Sequence, residues 1–119
     1  MGEQCSGRVA LVTGASKGGT GTAIAVRLAA EGAAVALVAR DAAGLDATAE
    51  RIRAAGGTTI TIPVDLADPD GGRATLVDRV ADELGPVDIL VNNAAANGYR
   101  PFTEWTSRQL EIAQQVNVW

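Results

Sequence analysis

The sequence predicts an α/β fold, a doubly wound parallel sheet with strand order 3-2-1-4. Three observations predict it. Four short apolar segments alternate with segments of helical length. Most of those apolar segments are near-continuous, as in parallel strands covered on both faces. A glycine-rich loop stands between the first strand and the first helix. Right-handed crossovers then place successive strands in that order.

The first strand is Val9 to Thr13, followed by the loop Gly14-Ala15-Ser16-Lys17-Gly18-Gly19-Thr20-Gly21. The first helix carries Ile24 and Leu28 one turn apart, with Gly32 as its C-cap. Val35 to Ala39 forms the second strand. Asp41 then caps a helix whose apolar face is Leu45, Ala49 and Ile52, and Gly56-Gly57 stops it. The third strand, Thr59 to Val64, alternates Thr with Ile and so suits a sheet edge with one wetter face. Asp68 as N-cap and Pro69 at the first helical position predict a third helix through Leu76, Val77, Val80 and Leu84, ending at Gly85-Pro86. Val87 to Asn92 is the fourth strand. Thr106 with Gln109 three residues on has the spacing of a capping box and predicts a last helix.

Composition narrows the function. The chain has 119 residues, 47% of them hydrophobic, and a formal net charge of −4. That size bounds it to one domain. An acidic balance offers no basic face, so neither a nucleic acid nor a membrane is an expected partner. The Met1-Gly2-Glu3-Gln4-Cys5-Ser6 start matches a bare myristoylation pattern, but it has no polybasic patch beside it. Cys5 is the only cysteine and histidine is absent. No disulfide within the chain and no cysteine metal cluster is expected, and a cytoplasmic location is.

The glycine loop is where a dinucleotide pyrophosphate belongs. Glycines let the backbone turn tightly and approach phosphates, while helix-start N–H groups attract their charge. At the tip of the second strand, Ala39 stands where an acid would bind a ribose 2′-hydroxyl, and Arg40 follows. Lys17, the only lysine, lies in the loop facing the same region. Two cations there favour a 2′-phosphate, and so NADP(H) over NAD(H). The other reading is that both are solvated surface charges. Asp41 reads as a helix cap. Asp65, ending the third strand, is either an acceptor for the adenine amino group or a turn residue. Asn92-Asn93-Ala94-Ala95 ends the fourth strand, where amides tie strand ends together and small residues admit a ribose.

These motifs in this order identify a resemblance. Thr13-Gly14-Ala15-Ser16-Lys17 with Gly19-Thr20-Gly21, Asp65-Leu66, Asp88-Ile89-Leu90-Val91-Asn92-Asn93-Ala94 and Val116-Asn117-Val118 resemble the N-terminal, cofactor-binding portion of the classical short-chain dehydrogenase/reductase family. The resemblance runs from about Gly7 to the end of the chain. It implies that residues 8–119 are the N-terminal part of a single Rossmann NAD(P)-binding domain, truncated after the fourth strand and the following helix. Residues 1–7 are then a disordered leader. It implies an oxidoreductase that moves hydride between a nicotinamide cofactor and a small carbonyl or alcohol, NADP(H) being preferred and NAD(H) an alternative. By resemblance, Gly14, Ser16, Lys17, Gly19, Thr20 and Gly21 line the diphosphate and adenosine ribose. Arg40 meets the 2′-phosphate, Asp65 and Leu66 the adenine, and Asn93 and Ala94 the nicotinamide-side ribose. Asn117 matches the catalytic asparagine that holds a proton-relay water. The family also implies a homodimer or homotetramer for the full-length protein.

The chain departs from the family pattern in three places. Its loop is one residue longer than Gly-x-x-x-Gly-x-Gly, and Ala95 replaces a glycine. The family's catalytic serine and Tyr-x-x-x-Lys pair would fall beyond Trp119. The single tyrosine, Tyr99, is followed four residues later by Thr103. The chain alone is therefore expected to bind cofactor without turnover. The alternative from another class is a non-catalytic nucleotide-binding module. A methyltransferase would want an acid at Arg40, and a sugar-nucleotide enzyme would lack the Asn-Asn-Ala motif.

Overall fold

The computed structural model describes residues 2–16, 18–95 and 101–118. Strands and helices alternate as β1 (Val9–Thr13), α1 (Thr20–Ala30), β2 (Ala34–Ala39), α2 (Ala42–Ala54), β3 (Thr58–Pro63), α3 (Leu76–Leu84), β4 (Ile89–Val91) and α4 (Ser107–Val118). Short 3-10 turns occupy Arg73–Thr75 and Phe102–Glu104. All four strands are parallel and run in the order β3-β2-β1-β4. The order read from the sequence is the order found.

Two apolar layers hold the sheet, because successive side chains of a strand point to opposite faces. On one face Ala10, Val12, Val35 and Leu37 pack with Leu45, Ala49 and Ile52 of α2 and with Ala25 of α1. On the other, Val9, Leu11, Ala36, Val38 and Ile62 meet Leu76 and Val80 of α3. β1 and β2 are therefore buried along nearly their whole length, as their unbroken apolar runs require. β3 is the edge strand that its Thr/Ile alternation predicts. Its Thr59 is buried and donates its hydroxyl to the Val35 carbonyl at 2.7 Å.

Several local expectations meet the structure differently. β4 pairs with β1 only over Ile89–Val91, and Leu90 is exposed. Its apolar run is thus not covered on both faces by the described residues. α3 starts at Leu76, not at Asp68-Pro69. The Asp68 carboxylate instead accepts the Asp70 N–H at 2.9 Å and closes a turn. Gly72 then takes a left-handed φ of 96°, which interrupts any helix running from Pro69. The shortened α3 buries Leu76 and Val80, and Val77, one residue round the helix, faces solvent. At the end of α1, Glu31 holds the C-cap and Gly32 follows it. Asp41 is the N-cap of α2 but makes no side-chain cap bond; its carbonyl accepts the Leu45 N–H at 3.0 Å.

Two termini of the sheet are fastened by polar contacts. Asp88, just before β4, accepts the Val9 N–H at 2.9 Å and so sets the start of the β1–β4 ladder. Residues 4–7, read from sequence as leader, form turns. The Cys5 N–H donates to the Glu31 carbonyl at 2.8 Å, and the Cys5 side chain packs on the α1–α2 core. The α4 capping box is fully formed. The Thr106 N–H donates to Gln109 Oε1 at 2.9 Å, and the Gln109 N–H to Thr106 Oγ1 at 3.1 Å.

Candidate dinucleotide site

All four strands deliver their carboxyl ends to one side of the sheet, which is where ligands bind in open α/β folds. The ends of β1 and β4 are tied there by Thr13. Its hydroxyl oxygen accepts the N–H groups of Asn93 at 3.1 Å and Ala94 at 3.0 Å. The Asn93 side chain reaches back and donates Nδ2–H to the Gly14 carbonyl at 3.2 Å. The glycine loop is thereby fixed to the Asn-Asn-Ala segment.

The same junction explains two glycines. Gly14 has a φ of 68°, and a Cβ on it would lie 2.8 Å from Asn93 Nδ2. A Cβ on Gly21, in the first turn of α1, would lie only 2.2 Å from the Gly14 carbonyl oxygen. Helix α1 can approach the end of β1 this closely only because position 21 has no side chain.

An open cavity of about 590 Å³ lies over these strand ends. Gly14 and Ser16 line it from the glycine loop, Arg40 from just after β2, Asp65 and Leu66 from the segment after β3, and Asn93 and Ala94 from the segment after β4. Seven residues singled out from sequence thus share one wall. Ala39, Asp41, Val64 and Ala95 complete that side, and Ile112 and Val116 of α4 close the other. A second cavity of about 440 Å³ adjoins it, sharing Leu66, Asn93, Ala94, Ala95 and Val116. Asn117 lines this second space with Thr13, Leu90 and Asn92.

Other expected site residues lie apart. Gly19, Thr20 and Gly21 form the start of α1 and do not line the cavity wall. Gly19 and Thr20 are exposed, and Gly21 is buried against Gly14. Lys17 lies outside the described residues, as does Tyr99. Arg40 is exposed, and its guanidinium makes no hydrogen bond or ion pair with another described residue. Asp41 stands beside it and forms no salt bridge with another described residue. The Asp65 carboxylate accepts the Ala67 N–H at 2.9 Å in an Asx turn, and the residue lines the cavity.

Sequence reasoning missed Arg73. Its guanidinium donates to the Leu66 carbonyl at 2.7 Å, to the Gln115 carbonyl at 3.3 Å and to Gln115 Oε1 at 2.9 Å. It therefore joins the end of β3 to α4 and holds Ile112 and Val116 over the cavity. No local signal marks the contact with α4, because Gln115 lies 42 residues along the chain from Arg73.

Residues 8–119 match the family model for short chain dehydrogenases. A ketoacyl reductase from Nostoc is 36% identical over 113 residues, covering 95% of this chain and 39% of the relative. A short chain dehydrogenase from Burkholderia cenocepacia, solved in complex with NADP, superposes with a TM-score of 0.88 at 43% identity. That match covers 96% of this chain and 46% of the other. L-Sorbose reductase from Gluconobacter frateurii, solved with NADPH and L-sorbose, also has a TM-score of 0.88 at 34% identity, over 99% of this chain and 44% of its own. The chain spans less than half the length of each of these relatives. Matched over nearly its whole length by the family model, and sharing this parallel sheet with solved members, the chain belongs to the short-chain dehydrogenase family.

Proposed function

We propose that this chain binds a nicotinamide dinucleotide along the carboxyl edge of its sheet, NADP(H) in preference to NAD(H). It is the cofactor-binding part of an oxidoreductase that reduces small carbonyls or oxidises alcohols. The observation that carries this reading is the single wall formed by Gly14, Ser16, Arg40, Asp65, Leu66, Asn93 and Ala94. The lining fits the group, since one cavity presents loop backbone at Gly14 and Ser16, a guanidinium at Arg40 and a carboxylate at Asp65.

The cavity-lining residues take roles that their positions support, and the remaining loop residues take theirs from the sequence pattern. Gly14 and Ser16 take the diphosphate side, with Lys17, Gly19, Thr20 and Gly21 from the same loop. Arg40 meets the 2′-phosphate with a guanidinium that no described carboxylate neutralises. Asp65 and Leu66 border the adenine, and Asn93 and Ala94 the nicotinamide-side ribose. When bound, the cofactor supplies the hydride. Asn117, lining the adjoining cavity, holds water for the proton relay. Relatives solved with NADP or NADPH support this choice of cofactor.

Calorimetric titration tests the cofactor assignment. NADPH is expected to bind more tightly than NADH, and Arg40→Ala to lower NADPH affinity about tenfold while leaving NADH nearly unchanged, as loss of one charge-assisted contact implies. Equal affinities for both dinucleotides in the native chain would overturn the preference. The 119-residue chain lacks a Tyr-x-x-x-Lys pair. It is expected to leave NADPH absorbance unchanged in the presence of ketones and aldehydes, and turnover would refute that part. In this reading residues 8–119 are the N-terminal part of one NAD(P)-binding domain, and the complete protein is a cytoplasmic homodimer or homotetramer.

A further inference from the structure

We propose that a buried hydroxyl pair, Thr22 and Thr48, is the brace that fixes the lengthened glycine loop and so governs cofactor affinity; the affinity part rests on the dinucleotide reading above. Thr22 lies in the first turn of α1 and Thr48 in the middle of α2, each no more than 2% exposed. Their Oγ1 atoms are 3.2 Å apart across 26 residues of sequence.

Between them they engage three backbone groups of the loop. Thr48 Oγ1 lies 2.8 Å from the Ala15 carbonyl, to which its hydroxyl donates. Thr22 Oγ1 lies 3.2 Å from the Ser16 carbonyl and 3.1 Å from the Gly18 N–H. One proton arrangement satisfies all of these: Thr48 O–H to Ala15, Thr22 O–H to Ser16, and Gly18 N–H to Thr22 Oγ1. A buried hydroxyl or carbonyl left without a partner is costly, so the pair stabilises the loop in this conformation over others.

This arrangement answers a question that the loop's extra residue raises. A longer loop has more conformations to choose among, and a ligand that needs one of them loses affinity to the rest. The Gly18 N–H turns inward to Thr22, so it satisfies the protein's own hydroxyl. Thr48 adds a second consequence. Helix α2 follows directly after Arg40, with Asp41 as its N-cap. The bond from Thr48 to Ala15 therefore ties the loop to the element that begins at the 2′-phosphate end of the site. Thr22 and Thr48 act as positioning residues, since neither lines the cavity.

The test compares Thr22→Val, Thr48→Val and Thr22→Ser in the 119-residue chain. It reads NADPH affinity by calorimetry, Gly18 amide exchange by NMR and folding by thermal melting. Thr22→Val is expected to weaken NADPH binding about tenfold, on the scale of one buried hydrogen bond, and to speed Gly18 exchange. Thr22→Ser, which keeps the hydroxyl, is expected to restore both. A folded Thr22→Val chain with native NADPH affinity and native Gly18 exchange would overturn the brace. Should Thr22→Val fail to fold, Thr48→Val carries the test: weaker binding supports the brace and native affinity refutes it. If the native chain binds no NADPH, the dinucleotide reading fails, and Gly18 exchange in Thr22→Val alone decides whether the brace exists.

Discussion

Leu11 and Leu90 are register partners across the β1–β4 ladder, yet Leu11 is 1% exposed and Leu90 is 55% exposed. The two residues have the same chemistry and adjacent positions on one sheet. They differ in what surrounds their strands. β1 has β2 on one side, β4 on the other and helices over both faces. β4 has β1 alone. The same contrast runs through the whole molecule. At the junction of the glycine loop with β1 and Asn93, the chain's own atoms pack so closely that neither Gly14 nor Gly21 has room for a Cβ. On the β4 side, α4 buries none of its described residues, and Leu110 and Val118 are exposed with Leu90. The loop side is packed by contacts within the chain, whereas among the described residues the β4 side has an unpaired parallel edge and exposed apolar side chains.

The largest effect that this contrast predicts comes from truncating its buried member. Leu11→Ala removes a fully enclosed side chain from the layer shared with Ala36, Val38, Ile62, Leu76 and Val80. The expected loss is about 3 kcal/mol of folding stability, through lost transfer energy and the cavity left behind. Urea denaturation with a native m-value would measure it. A loss below about 1 kcal/mol would mean that this layer collapses around the gap, and the contrast between the strands would lose its basis.

A smaller effect, placed on the site itself, comes from Gly21→Ala. The new Cβ would sit 2.2 Å from the Gly14 carbonyl oxygen and 2.6 Å from Asn93 Nδ2. Backbone must move to relieve it, at an expected cost of roughly 2 kcal/mol. Because the displaced atoms belong to the loop and to the Asn93 contact, NADPH binding should fall by more than the melting temperature alone suggests. Titration and thermal melting on the same sample check this. Native affinity in Gly21→Ala would show that the cradle tolerates a wider α1–β1 separation.

The elements that the sequence made legible are those whose local pattern and tertiary surroundings agree. β1 occupies Val9–Thr13 as read, because a strand buried on both faces has an apolar run with sharp ends. The α4 capping box formed because its two bonds are local. Local rules failed where tertiary geometry overrode them. Asp68-Pro69 has helix-start chemistry, but the same chemistry serves a turn, and the left-handed Gly72 decides between them. For the site, strand ends could be read and so could the residues on them: Arg40, Asp65, Leu66, Asn93 and Ala94 do share one cavity wall. The supports behind that wall could not. Thr48 with Ala15, and Arg73 with Gln115, join residues 33 and 42 positions apart, and each is an unremarkable residue type in its own helix or turn.

The smallest effect comes from the exposed member of the leucine pair. Leu90→Ser removes apolar surface that is already more than half in water, so little transfer energy is lost and no cavity forms. Serine also keeps the backbone N–H and C=O that β4 needs for its ladder with β1. Stability is expected to change by less than about 0.5 kcal/mol. Self-association, followed by analytical ultracentrifugation over a concentration series, should fall, because the unpaired edge loses its central apolar side chain. A destabilisation near that of Leu11→Ala would show that β4 is covered in solution, and the two strands would then differ in sequence position only.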